Sequence, residues 1–100
     1  MTPIEFHPEA EADMRATARW YETRSAGLGQ QFLDAVNAAT ATIAANPEAF
    51  GFARPGIRRH LVRRFPFGIL YQVEPDRAYI LAVAHSRRKP NYWKHRLENQ

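Results

Sequence analysis

The sequence predicts an α+β domain of order β-α-α-β-β-β, a helical hairpin packed on a mostly antiparallel sheet. Three observations predict it. Apolar residues recur at helical spacing in two early stretches joined by a very short glycine link. From Ile57 the apolar period drops to two, and the last of the strands that follow is apolar on both faces. One hundred residues are enough for one core without metal or disulfide staples, so residues 1–100 read as a single domain.

Pro3-Ile4-Glu5-Phe6 alternates, with Ile4 and Phe6 on one side, and reads as an edge strand, where a proline is tolerated. Pro8 suits the first helical position, and Glu9, Glu11 and Asp13 set negative charge at the positive end of the helix dipole. Ala10, Met14, Ala18 and Tyr21 form its buried stripe, and Ser25-Ala26-Gly27 stops it, with Gly27 as a left-handed cap. After Gly27-Leu28-Gly29 a second helix follows, with Phe32, Val36, Ala39 and Ile43 facing inward, and Asn46-Pro47 ends it. So short a link makes the two helices an antiparallel hairpin.

Residues 48–56 read as a loop with Phe50 and Phe52 anchored beneath it. Residues 57–64 form an arginine-rich strand with one wet face, and 65–68 a turn. Residues 69–73 and 78–85 are strands joined by a turn over 74–77. The strand over 78–85 belongs in the sheet interior, under the helical hairpin. Pro90 and its polar neighbours end the sheet, and residues 91–97 add a short helical turn.

Charge is unevenly spread. Residues 1–53 hold three basic and seven acidic side chains, residues 54–100 eleven basic and three acidic, so the halves carry −4 and +8. Twelve of the fourteen basic residues are arginine, whose forked guanidinium pairs with phosphate and carboxylate and points to an acidic partner. The plainer reading of the same residues is a soluble basic surface. No cysteine is present, which excludes a disulfide framework and thiolate zinc sites and fits a reducing cytoplasm. No signal peptide is expected, and the longest apolar run, Ala78 to Ala84, is far short of the ~20 residues that span a bilayer, so no membrane partner is expected either.

Few constellations carry chemistry. The histidines at 7, 60, 85 and 95 lack metal-ligand spacing, no glycine-rich phosphate loop or GxSxG elbow occurs, and no metal or cofactor is expected. A basic and aromatic set remains. Arg58, Arg59, His60, Arg63 and Arg64 lie along one strand, whose alternation sends Arg59 and Arg63 to one face and the other three to the opposite one. His85, Arg87, Arg88, Lys89, Tyr92 and Trp93 follow the last strand. Brought together, they form a cationic surface with His and Tyr for proton transfer and rings for stacking. That is what a metal-free RNA-cleaving site needs, and equally what an acidic protein partner needs. Tyr92 and Trp93 have the further reading of packing the tail onto the sheet.

These residues in order resemble the RelE/ParE toxin superfamily of bacterial type II toxin-antitoxin systems, in particular its ParE-like plasmid stabilisation branch. The resemblance rests on Phe6-His7-Pro8-Glu9-Ala10, Trp20-Tyr21, Gly27-Leu28-Gly29 with Phe32, Asn46-Pro47, Ile57-Arg58-Arg59, Arg64-Phe65-Pro66-Phe67 with Ile69 and Tyr71, and the run from His85 to Trp93. It implies a cytoplasmic toxin, neutralised in a hetero-oligomer by a cognate antitoxin whose segment wraps it. Some members of the superfamily are ribosome-dependent mRNA endonucleases; ParE-type members poison DNA gyrase. The nuclease branch places an arginine in the central strand just after the turn, where this sequence has Gly68. Arg88 matches the second nuclease arginine, but the position of the tyrosine acid falls on Lys94, with Tyr92 out of register. Three readings follow. The first is a non-enzymatic gyrase poison in which Arg58, Arg59, His60, Arg63, Arg64, Arg87 and Lys89 bind target or antitoxin. The second is a variant mRNA endonuclease using His85, Arg88 and Tyr92, and the third a non-toxic basic binding module.

Overall fold

The computed structural model describes residues 1–89 and 91–99, so Pro90, read above as ending the sheet, lies outside the described residues. Its elements are β1 (Ile4–Phe6), α1 (Pro8–Arg24), α2 (Leu28–Ala45), β2 (Phe52–Arg54), β3 (Ile57–Leu61), β4 (Phe67–Val73), β5 (Ala78–His85) and a closing 3-10 turn, η1 (Lys94–Asn99). The five strands form one sheet in the order β1-β5-β4-β3-β2, antiparallel except where β1 runs parallel to β5 at the edge. The α+β class and the helical hairpin on a mostly antiparallel sheet are as the sequence predicts.

The hairpin forms where the glycine link requires it. Gly27 adopts φ 87° and precedes α2, while the Glu22 carboxylate accepts the N–H groups of Gly27 at 2.8 Å and Gly29 at 3.0 Å. Those two N–H groups are among the orphan donors of the α2 start, so one helix caps the other. Gly29 is obligatory for a second reason: a Cβ there would sit 2.4 Å from the carbonyl oxygen of Ala18. At the start of α1, His7 is buried and its Nδ1 accepts the Glu9 N–H at 3.0 Å, so the ring serves as a cap.

Ala10, Ala18, Phe32, Val36, Ala39 and Ile43 from the helices meet Phe67, Ile69, Tyr71, Ala78, Ile80 and Val83 from β4 and β5 in the main core. Tyr71 is fully buried, and its hydroxyl donates to the Pro47 carbonyl at 2.6 Å, tying β4 to the end of α2. The opposite face of the sheet is not bare. Ile57, Leu70, Tyr79, Leu81 and Ala82 pack there against Trp93, with Tyr92 and Leu97 beside it. The two apolar faces of β5 therefore have different covers: the helical hairpin on one side, the C-terminal segment on the other.

Four details differ from the sequence reading. Phe52–Arg54, expected as loop, pairs with β3 as a short edge strand through a turn at Pro55-Gly56. Phe52, expected as an anchor, is 60% exposed and lies under the Arg58 guanidinium at 4.1 Å. The strand expected over 57–64 stops at Leu61, because Arg64 takes a left-handed turn conformation at φ 73°. Phe67 and Gly68, expected in the turn, instead begin β4 opposite His85 and Ala84.

Candidate functional site

Consecutive residues of β3 face opposite sides of the sheet, and this separates Arg58 from Arg59. Arg58 donates to the carbonyls of Glu48 at 3.1 Å and Phe50 at 2.7 Å and covers Phe52, so it holds the segment before β2 in place. His60, on the same side, stacks on Phe50 at 3.8 Å, and burial pushes its imidazole below the ordinary range toward the neutral form. Arg59 points to the face covered by the C-terminal segment. There Gly68 on the neighbouring strand leaves room for its stem: a Cβ on Gly68 would lie 3.2 Å from both Cγ and Cδ of Arg59.

A cleft of about 430 Å³ opens on this face, at the end of the sheet where β4 begins and β5 finishes. Leu61, Phe65, Phe67, Leu70, Ala84 and Trp93 give it an apolar lining; Arg59, His85, Arg88 and Lys89 supply its cationic groups, and Tyr92 forms part of one wall. Among the described residues, no carboxylate lines it. The two basic segments of the sequence thus meet in part. Arg59 joins Arg88 and Lys89, whereas Arg58 and His60 lie on the other side and the exposed Arg87 is outside the lining. Arg63 and Arg64 line an adjacent hollow with Gln31, Asp34 and Ala35, and Phe65 is shared between the two.

The groups suited to proton transfer are engaged. His85 packs edge-on against Phe67 at 5.1 Å, and its Nδ1 accepts the Arg87 backbone N–H at 3.0 Å. In the neutral ring that leaves Nε2 carrying the proton, a donor rather than a base. The Tyr92 hydroxyl lies 3.5 Å from Asp13 Oδ2 on α1. Burial, followed by the Asp13 charge, raises its pKa, so it holds its proton more firmly than a free tyrosine. The Arg88 guanidinium stacks on the Tyr92 ring at 3.9 Å.

Arg96, which the sequence reading did not single out, fixes this wall of the cleft. Only 3% exposed, it donates through Nη1 to the Leu81 carbonyl at 2.8 Å and through Nη2 to Asp13 Oδ2 at 2.8 Å. Leu81 is the extra residue of a bulge, since Leu70 pairs with Ala82 and Tyr71 with Ile80. Nothing in the spacing of the tail marks Arg96 as buried. Next to it, His95 Nε2 meets Glu9 Oε1 at 2.9 Å, and that hydrogen bond holds the Glu9 carboxyl below its ordinary value of 4.5. A depressed folded pKa contributes stability above the unfolded value that is lost as pH falls through the folded one. Glu9→Gln is expected to lower the thermal midpoint by a constant small amount between pH about 6 and 5, the difference closing below pH about 3. Thermal unfolding followed by circular dichroism across that range checks it, and a difference that persists at the acid end would assign the effect to packing.

Among the described residues, no three His, Asp or Glu side chains come together in a metal-ligating group, and no helix is long and apolar enough to cross a membrane. A model of the family described as "ParE toxin of type II toxin-antitoxin system, parDE" matches residues 4–90. No curated protein matches the chain. Among solved structures, the chain is similar to one titled "Chromosomal ParDE TA system from P. aeruginosa", at 21% identity and a TM-score of 0.63, covering 85% of this chain and 96% of that one.

Proposed function

The chain belongs to the ParE toxin family of type II toxin-antitoxin systems, and from that premise we propose that it arrests growth by binding DNA gyrase rather than by cutting RNA, and that a cognate antitoxin neutralises it. What carries this reading is Gly68. At the central-strand position where the nuclease branch of the superfamily has an arginine, this chain has no side chain, and the Arg59 stem lies across the gap. The proton-transfer groups support the same reading: Tyr92 is turned toward Asp13, and His85 accepts from the Arg87 N–H through Nδ1. The site therefore has cations to attract an anionic or acidic surface and no free acid-base pair. The basic second half of the chain, +8 against −4 for the first, also suits an acidic antitoxin.

The test separates binding from cleavage. Induced alone, the chain is expected to arrest growth, the purified protein to alter gyrase supercoiling, and ribosome-bound mRNA to stay intact. Tyr92→Phe should leave arrest unchanged, because its hydroxyl takes part in no reaction. The nuclease reading requires cleavage at ribosomal A sites and a fall of about 10²- to 10⁴-fold when that hydroxyl is removed. Cells that grow normally would exclude both toxin readings and leave a binding module.

A further inference from the structure

We propose that the cleft between the start of β4 and the C-terminal segment binds the sugar-phosphate backbone of a DNA strand, held by Arg59, Arg88 and Lys89 and left uncut. The proposal rests on the reading above, in which the toxin acts by binding, and it names the chemistry that this one surface recognises. Four other arginines of the chain are already engaged. Arg77 pairs with Glu5 and Glu74, Arg96 with Asp13, Arg15 with Glu11, and Arg58 serves two carbonyls. Among the described residues, Arg59, Arg88 and Lys89 have no carboxylate partner, and the concavity that all three line holds no carboxylate. Cations that line one cleft repel one another, and a bound anion offsets that cost.

The cations also run on past the cleft. Phe65 is common to the cleft and to the hollow lined by Arg63 and Arg64, where two cations face the single carboxylate of Asp34, so net positive charge continues around the turn that precedes β4. A single carboxylate needs one or two cations at a point; a file of them follows a polyanion, whose charges repeat along a strand. Ring and guanidinium surfaces suit the same ligand. Arg88 is exposed and lies with one face on Tyr92, which leaves its outer face open for a base to stack on. DNA also lacks the 2′-hydroxyl that serves RNA as an internal nucleophile, so a strand held here has neither an internal nucleophile nor a free acid-base pair to cut it.

Fluorescence anisotropy of the full chain with a labelled single-stranded oligodeoxynucleotide tests this. Arg59→Gln and Arg88→Gln are each expected to weaken binding about fivefold to tenfold and to reduce the salt slope by about 0.7. Arg19→Gln, an equal change of charge at an exposed site on α1 outside the cleft, should change affinity by less than about twofold. Gly68→Val provides a variant of unchanged charge: its side chain enters the space under the Arg59 stem, and binding should again fall about fivefold. Equal losses from Arg19→Gln and Arg59→Gln, or full binding by both Gly68→Val and Arg88→Gln, overturn the proposal. So do a glutamate-rich peptide that displaces the oligonucleotide at equal charge concentration, RNA of the same sequence bound far more tightly than DNA, and a probe recovered cleaved. The gyrase reading fails separately, by unaltered supercoiling with the wild-type chain.

Discussion

Phe32→Ala is expected to cost about 3–5 kcal/mol and, in a chain of this size, to lower the thermal midpoint by roughly 15 °C or more. Phe32 is fully buried, with its ring centroid 5.4 Å from Tyr21, 5.3 Å from Phe65 and 5.1 Å from Phe67. It therefore joins α1, α2 and the turn that feeds β4. Tyr21 also meets Phe65 at 5.0 Å, so the four rings form one cluster that the remaining three cannot close over an empty centre. Small domains have only about 5–15 kcal/mol in total, so a large share of stability is at stake. Phe65 and Phe67 line the cleft as well. The same substitution should thus loosen the binding surface at temperatures where the protein is still folded. Chemical and thermal unfolding by circular dichroism measure the loss, and Phe32→Leu should recover most of it. A midpoint within a few degrees of the wild type would mean the cluster repacks around the gap.

The helical half of that cluster was legible because helical periodicity is a local signal, whereas Phe65 and Phe67 read only as turn residues. Phe32, Val36, Ala39 and Ile43 all face the core as their spacing predicts. Other parts depended on partners that no local pattern names. Strand β2 is three residues long with no alternation, and it exists because β3 offers it a hydrogen-bonding edge. Ala78–His85 announces two buried faces but not by itself what covers the second one; the cover is the C-terminal segment, in line with the reading of Trp93 as packing the tail onto the sheet. Arg58 and Arg59 are adjacent and chemically identical, yet one holds two carbonyls and the other lines the cleft. The alternation of β3 separated them; that Arg58 would be taken up by the backbone before β2 was not visible. Arg63 and Arg64 could not be placed by alternation at all, because the strand ends before them. Arg96 is the largest omission. A lone arginine in a polar tail reads as solvated, and only the tertiary fold brings Asp13 and the bulged carbonyl of Leu81 to it.

Arg96→Ala is accordingly expected to destabilise the chain by about 2–4 kcal/mol, far more than an arginine-to-alanine change on the surface. Two terms add. The Leu81 carbonyl, freed from the ladder by the bulge, loses its donor in a water-poor setting, and Asp13 loses the cation that neutralises it. The loss stays at the lower end for a broken buried pair because the Asp13 side chain keeps 30% of its exposure and water reaches it. Arg96→Lys should restore little, since one ammonium cannot reproduce a fork that reaches a carbonyl and a carboxylate at once. In a double-mutant cycle with Asp13→Asn, the coupling should be about 1–3 kcal/mol, and urea titration supplies all four free energies. The consequence extends to the cleft, because Arg96 clasps Asp13, the residue that the Tyr92 hydroxyl faces, and Tyr92 carries the Arg88 guanidinium. Without that clasp, the wall presenting Arg88 is held by the packing of Trp93 and Leu97 and by the exposed contact of His95 with Glu9. A loss below about 1 kcal/mol would mean that this packing suffices, and that the buried ion pair fixes the position of the wall without adding to its stability.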